Sequence, residues 1–211
     1  MQKRMPRLDL RLARQSRIAL GLVHAGEFAG RSGSPSVRRR WSPSRLEALY
    51  EAVFLQVFSA WERCQEEIFL RSLCGYESVA AGRETLVRSP FKSVRIARNT
   101  LLPLNAYWLW HKPDQIVGRC QGYIKNGQQE AIILSSKPRL QDWAAIRHRI
   151  AHDQQEDAKR KFSQAIINIS GLAYIAPRPG RFLRDIQSAS TNRRWIEVAI
   201  SDLVGLAGQL V

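Results

Sequence analysis

An all-α helical bundle, with a basic N-terminal extension and an extra C-terminal helix, is the fold this sequence predicts. Apolar residues recur at steps of three and four along most of the 211 residues, the helical period. Helix start and stop residues fall where those stripes begin and end. No internal repeat is present, and 45% apolar content is enough to bury a core.

The elements follow in chain order. Residues 1–43 form the basic extension and linker, with a short helix through Leu10–Val23. At its end, residues 31–44 (RSGSPSVRRRWSPS), which run into the next segment, have the Ser, Gly, Pro and Arg content of a linker. Residues 44–175 form the main helical domain. Ser44 and Glu47 have capping-box spacing. Leu46, Tyr50, Val53, Val57, Trp61, Cys64 and Ile68 then make one continuous apolar face, and Gly75 stops the helix. Phe54, Phe58 and Phe69 lie to one side of that face and suit either a second helix or an oligomer contact. Shorter helices are expected over Lys92–Leu102 and Asp114–Ile124, separated by Pro103 and Pro113. Ile132–Leu134 fits strand or helix. Tyr107, Trp108 and Trp110 form an aromatic cluster that fits a core corner or a base-stacking platform. A helix from Pro138 to Ala151 and another over Glu156–Ala173 complete the domain, the latter burying Phe162, Ala165, Ile166, Ile169 and Ala173. Residues 176–211 supply a loop, then a C-terminal helix over Arg193–Leu210.

The net charge is +15, which favours a polyanionic partner, most commonly nucleic acid. The charge is uneven: residues 1–45 hold eleven Lys and Arg against Asp9 and Glu27, a net of +9. Arg38, Arg39 and Arg40, followed by Trp41, suit a phosphate grip with an aromatic beside it, or a basic arm of no specific role. Cys64, Cys74 and Cys120 are odd in number and lack C-x-x-C spacing, which fits a reducing, cytoplasmic setting and argues against disulfides or structural zinc. No apolar run has the length of a membrane span, and the Arg-rich start lacks the apolar block of a secretory signal.

On a wheel of about 100° per residue, Leu140, Trp143, Ala144 and Ala151 define an apolar face with Arg147 in its middle. A guanidinium keeps its proton, so turned inward it needs an anion: a carboxylate of the protein or a phosphate of a ligand. Glu62 and Glu66 are expected to face away from the stripe of the long helix. Glu67, on the border of that stripe, is the carboxylate best placed to support Arg147, although Arg63 and Arg71, four residues away on either side, compete for it. Arg149 points to the opposite side. His152 lies at the helix end, where the dipole favours an imidazolium and suits a general acid. Five residues turn the wheel by about 140°, so Arg147 and His152 converge only if the helix ends or distorts there, or if two copies share the site.

Arg147-His148-Arg149-Ile150-Ala151-His152 resembles the R-x-x-x-x-H signature of HEPN domains (higher eukaryotes and prokaryotes nucleotide-binding), with His148 where Asn or Asp is common. The order of helices over residues 44–175 resembles that family too. The resemblance implies a homodimer with two motifs in one cleft at the dimer interface. It implies an endoribonuclease of a toxin–antitoxin, phage-defence or RNA-processing system, with a possible antitoxin or regulatory protein as partner. The RNA 2′-hydroxyl is the nucleophile, His152 the general acid or base, and Arg147 the holder of the phosphate. His148 positions the phosphate or assists proton transfer. Arg149, Arg38, Arg39 and Arg40 are the expected RNA-binding cations. The products are a 2′,3′-cyclic phosphate and a 5′-hydroxyl, with no metal and no cofactor. The alternative is a non-catalytic RNA- or nucleotide-binding HEPN module acting with a partner protein.

Other readings compete. His148 and His152 at i, i+4 share one helix face, as metal ligands do, but a zincin's intervening Glu is missing. A DNA-binding role for the basic arm lacks an assignable recognition helix. In the plainest reading, Arg147 is a core ion pair and His152 a helix-end cap.

Overall fold

The structure is a computed structural model that describes residues 3–79, 85–86, 90–101, 108–125 and 127–211. Leu102, Pro103 and Tyr107, named above, lie outside the described residues. The fold class is all-α, a helical bundle. Ten helices are found among the described residues: α1 (Leu8–Ser32), α2 (Pro35–Arg40), α3 (Pro43–Ser72), α4 (Val94–Leu101), α5 (Pro113–Tyr123), α6 (Gln128–Ser135), α7 (Lys137–Ala151), α8 (Glu156–Ser170), α9 (Pro179–Arg184) and α10 (Trp195–Gly208). Strands are two or three residues long. β1 (Lys3–Arg4) pairs parallel with β2 (Tyr76–Glu77). β3 (Thr85–Leu86) pairs antiparallel with β4 (Ile124–Lys125), and β5 (Ile186–Ser188) antiparallel with β6 (Arg193–Arg194).

The chain divides into two units, and the long helices contribute residues to both. One unit comprises Met1–Leu12, Ala60–Gln141 and Val204–Val211. Phe69 is its aromatic hub, with Trp108, Trp110 and Tyr123 at 5.6–5.9 Å between ring centroids. Trp110 is buried, the core-corner role, while half-buried Trp108 lies under the Arg119 guanidinium at 4.6 Å. Ile132–Leu134 resolves as helix, inside α6. Gln129 donates to both the side-chain and backbone oxygens of buried Gln65, so the Gln129 amide is satisfied inside the core.

The other unit comprises Ala13–Ser59 and Asp142–Leu203. It shows why α1 is much longer than the expected Leu10–Val23. Ser16, Ala19, Val23, Gly26 and Glu27 are buried at steps of three, four, three and one. Small and polar residues thus continue the face that apolarity alone marks only in part. A Cβ at Gly26 would lie 2.9 Å from Leu49 and 3.0 Å from Trp41, so glycine lets these side chains approach the helix. The expected linker, residues 31–44, is correspondingly ordered. It holds the end of α1, the whole of α2, and a half-buried Trp41 against Gly26 and Gly30.

Helix α3 buries its whole expected face, from Leu46 to Ile68, and also Phe54, Phe58 and Phe69. It begins at Pro43, one residue before the expected cap, and Arg178 donates to the Glu47 carboxylate at 3.0 Å. Glu62 and Glu66 correct the expectation that they face away. Glu62 is buried within 3.7 Å of His111 Nδ1, and Glu66 pairs with Arg98 at 2.8 Å. A helix buried on nearly every side has no face left for charge, so each carboxylate lies against a basic side chain. Cys64, Cys74 and Cys120 are buried and in no disulfide among the described residues, and burial pushes the Cys64 thiol up to about 12. No described helix is long and apolar enough to cross a membrane.

Candidate functional site

Helices α7 and α8 form an antiparallel hairpin. Asn168, near the end of α8, donates to Asp142, near the start of α7, at 2.9 Å. Trp143 anchors α7, its indole N–H donating to Asp202 at 3.0 Å and its ring 6.3 Å from Phe54. Ala158, Phe162, Ala165 and Ile166 bury the inner face of α8. The helix stops at Ser170 because Gly171 adopts the left-handed conformation, so Ala173 is exposed rather than part of the stripe. The turn at residues 152–155 is therefore the tip of the hairpin.

The buried face of α7 is Leu140, Trp143 and Ile146, while Ala144 is half-buried and Ala151 exposed. This face is rotated from the expected one, because Ile146 rather than Ala151 continues it. Arg147 consequently sits at the edge of the face instead of its middle. It is half-buried, with its Nε shut off from solvent.

His152 lies just beyond α7, yet its N–H still bonds the His148 carbonyl at 2.9 Å, an i to i−4 bond. The helical path thus carries one residue past the helix and brings the imidazole of His152 over His148, with ring centroids 4.6 Å apart and planes tilted by 50°. The pair that converges is His148 with His152. Burial pushes the His148 pKa below that of a free imidazole, and the neighbouring His152, Lys161 and Arg147 push the same way. Asp157 opposes them, but its carboxylate is engaged by Lys161 at 2.6 Å and Arg160 at 2.9 Å. His148 is half-buried and His152 exposed, so one ring is held toward its neutral form and the other faces solvent.

The remaining expected site residues are dispersed. Glu67 pairs with Arg71 on its own helix, the competitor named from sequence, and Glu67 and Arg147 belong to different units. Arg149 is half-buried and donates to the Asp153 carbonyl, because the end of α7 leaves carbonyls that need donors. Arg149 thus ties down the turn rather than projecting as a free cation. Arg38, Arg39 and Arg40 are exposed on α2, and none is in an ion pair among the described residues. Lys161, from α8, was not anticipated; only the hairpin returns it toward His148. No group of three or more His, Cys, Asp or Glu suited to a metal occurs among the described residues. Compared with known proteins, the chain matches no family profile, no curated protein and no solved structure.

Proposed function

We propose that this protein is a metal-independent endoribonuclease of the HEPN type, acting through His148 and His152 at the tip of the α7–α8 hairpin. The single observation that carries this reading is the imidazole pair at 4.6 Å, with one ring held toward its neutral form. A transesterification of RNA needs one group to take a proton and another to give one. Neutral His148 takes the proton of the 2′-hydroxyl. The 2′-oxygen bonds to phosphorus as the bond to the 5′-oxygen breaks, and protonated His152 gives its proton to that leaving oxygen. The atoms balance as a 2′,3′-cyclic phosphate and a 5′-hydroxyl. Arg147 and Lys161 offset charge on the non-bridging oxygens. A second copy of the chain, as the resemblance implies, supplies the opposing wall of a cleft.

The exposure of His152 favours a second reading, a non-catalytic RNA-binding module that acts with a partner protein. Product analysis separates the two. Incubation of a structureless RNA in EDTA is expected to give 2′,3′-cyclic phosphate ends, and the same strand carrying 2′-O-methyl groups is expected to survive. Binding without cleavage would select the module. Equal cleavage of the methylated strand would eliminate attack by the 2′-oxygen.

A further inference from the structure

A second constellation lies away from the hairpin tip, around buried Glu27 in the unit that holds α8 and residues 142–151 of α7. Three guanidiniums approach this one carboxylate: Arg184 at 2.6 Å, Arg31 at 3.5 Å and Arg194 at 3.6 Å. Arg184 makes the short contact and adds a second through its Nη2 at 3.4 Å, so it is the principal counter-ion. Tyr50 also donates to Glu27, at 3.2 Å. Nearby, Glu197 lies 3.4 Å from His24 and accepts the Arg194 backbone N–H at 2.7 Å. When Arg184 is matched with Glu27, the neighbouring Asp185 with Arg181, and Glu197 with a protonated His24, Arg31 and Arg194 remain as surplus positive charge. With His24 neutral, the surplus is one.

That surplus faces space. A cavity of about 490 Å³ is lined by His24, Phe28, Arg31, Arg194 and the two carboxylates Glu27 and Glu197, among others. Arg194 is pre-organised, because it also donates to the Arg184 carbonyl and its side chain is only 13% exposed. Phe28 is 71% exposed, a large ring left uncovered on the wall of a charged cavity. Asn192, at φ +50°, turns the β5–β6 hairpin and also lines the cavity.

We infer that this cavity binds a small phosphomonoester attached to a planar ring, with Arg31 and Arg194 taking the phosphate and Phe28 taking the ring. Paired guanidiniums favour phosphate oxygens, and an exposed phenyl face gives a planar group a stacking surface. The site is separate from His148 and His152, so it stands whether or not the chain cleaves RNA.

Isothermal titration of the full-length protein tests it, with inorganic phosphate, phenyl phosphate and adenosine 5′-monophosphate as probes. Both ring-bearing probes are expected to bind about 10-fold more tightly than inorganic phosphate. Phe28→Ala should erase that advantage and leave inorganic phosphate unchanged. Arg31→Gln should weaken all three about 10-fold, and phenyl phosphate should protect Arg31 from phenylglyoxal. Both side chains are largely exposed, so thermal melts matching the wild type confirm that the variants fold. His152→Ala should bind all three probes as the wild type does. Absence of saturable binding, indifference to Arg31→Gln, or loss of binding in His152→Ala would each overturn the inference.

Discussion

Glu27 and the His148–His152 pair lie in the same unit and are both surrounded by cations, yet they handle charge in opposite ways. At Glu27 a buried carboxylate holds its guanidiniums at 2.6–3.6 Å, and burial, which by itself raises its pKa, is outweighed so that the pKa falls. At the hairpin tip, burial and nearby cations act together, and the pKa of His148 falls because a further positive charge is unwelcome. The first arrangement is built round its own anion, which stabilises the fold and holds Arg31 and Arg194 at the cavity wall. The second is cationic and faces solvent, the state of a site that awaits an anion.

Substitutions sharpen this contrast, and the largest effect belongs to the tip. His148→Ala and His152→Ala should each lower RNA cleavage by about 10²- to 10⁴-fold. His152 is exposed, so its removal should alter stability by no more than about 0.5 kcal/mol in urea unfolding. Glu27→Gln should behave in reverse, costing about 3 kcal/mol of stability because it removes the buried anion from half-buried Arg184 and Arg194, while cleavage by the folded fraction persists. Equal stability losses at the two places would erase the distinction between them.

Next in size is Gly180→Ala. A Cβ there would strike the Glu47 carbonyl, which is backbone and has little room to yield. A loss of about 1–3 kcal/mol is expected from urea unfolding.

Acid should separate the two regions as well. The pKa of Glu27 is lower folded than unfolded, so its stabilisation is complete above the unfolded value and drains away as pH falls through the folded one. Thermal melts from pH 6 to pH 3 should therefore fall more steeply for the wild type than for Glu27→Gln. His148 also has a lowered pKa, but it is a base. Its protonation favours the unfolded chain, so its stabilising contribution shrinks as pH drops below the unfolded imidazole value. The base limb of the pH–rate profile should accordingly lie below a free imidazole.

The smallest effect concerns α2. Replacing Arg38, Arg39 and Arg40 together with Gln should reduce the salt slope of RNA binding by about 2, while the rate from bound RNA stays unchanged. A titration of affinity against salt concentration reads this out.

The parts of the molecule legible in sequence were those written in large apolar residues. The Leu46–Ile68 stripe of α3 and the Phe162–Ala165–Ile166 stripe of α8 are buried as their spacing predicts. The length of α1 was not legible, because Ser16, Gly26 and Glu27 continue its buried face without hydrophobicity. The burial of Glu62 is not legible, because a charged residue on a wheel is assigned to solvent, whereas long-range neighbours such as His111 appear only in three dimensions. At the tip, the i, i+4 spacing of His148 and His152 is legible, but the spacing alone suits metal ligands as well as a proton-transfer pair. Its survival past the helix end depends on one backbone bond that no residue type announces. Lys161 was invisible for the same reason, since only the turn at residues 152–155 brings α8 back to α7.

Single-turnover cleavage of a structureless RNA in EDTA, compared across wild type, His148→Ala, His152→Ala and the double variant, bears hardest on the proposal that the two imidazoles share one proton-transfer task. The wild type should cleave, and the double variant should be no slower than the poorer single variant, because either loss already disables the pair. Full cleavage by the double variant, or no cleavage by a folded wild type, would contradict it.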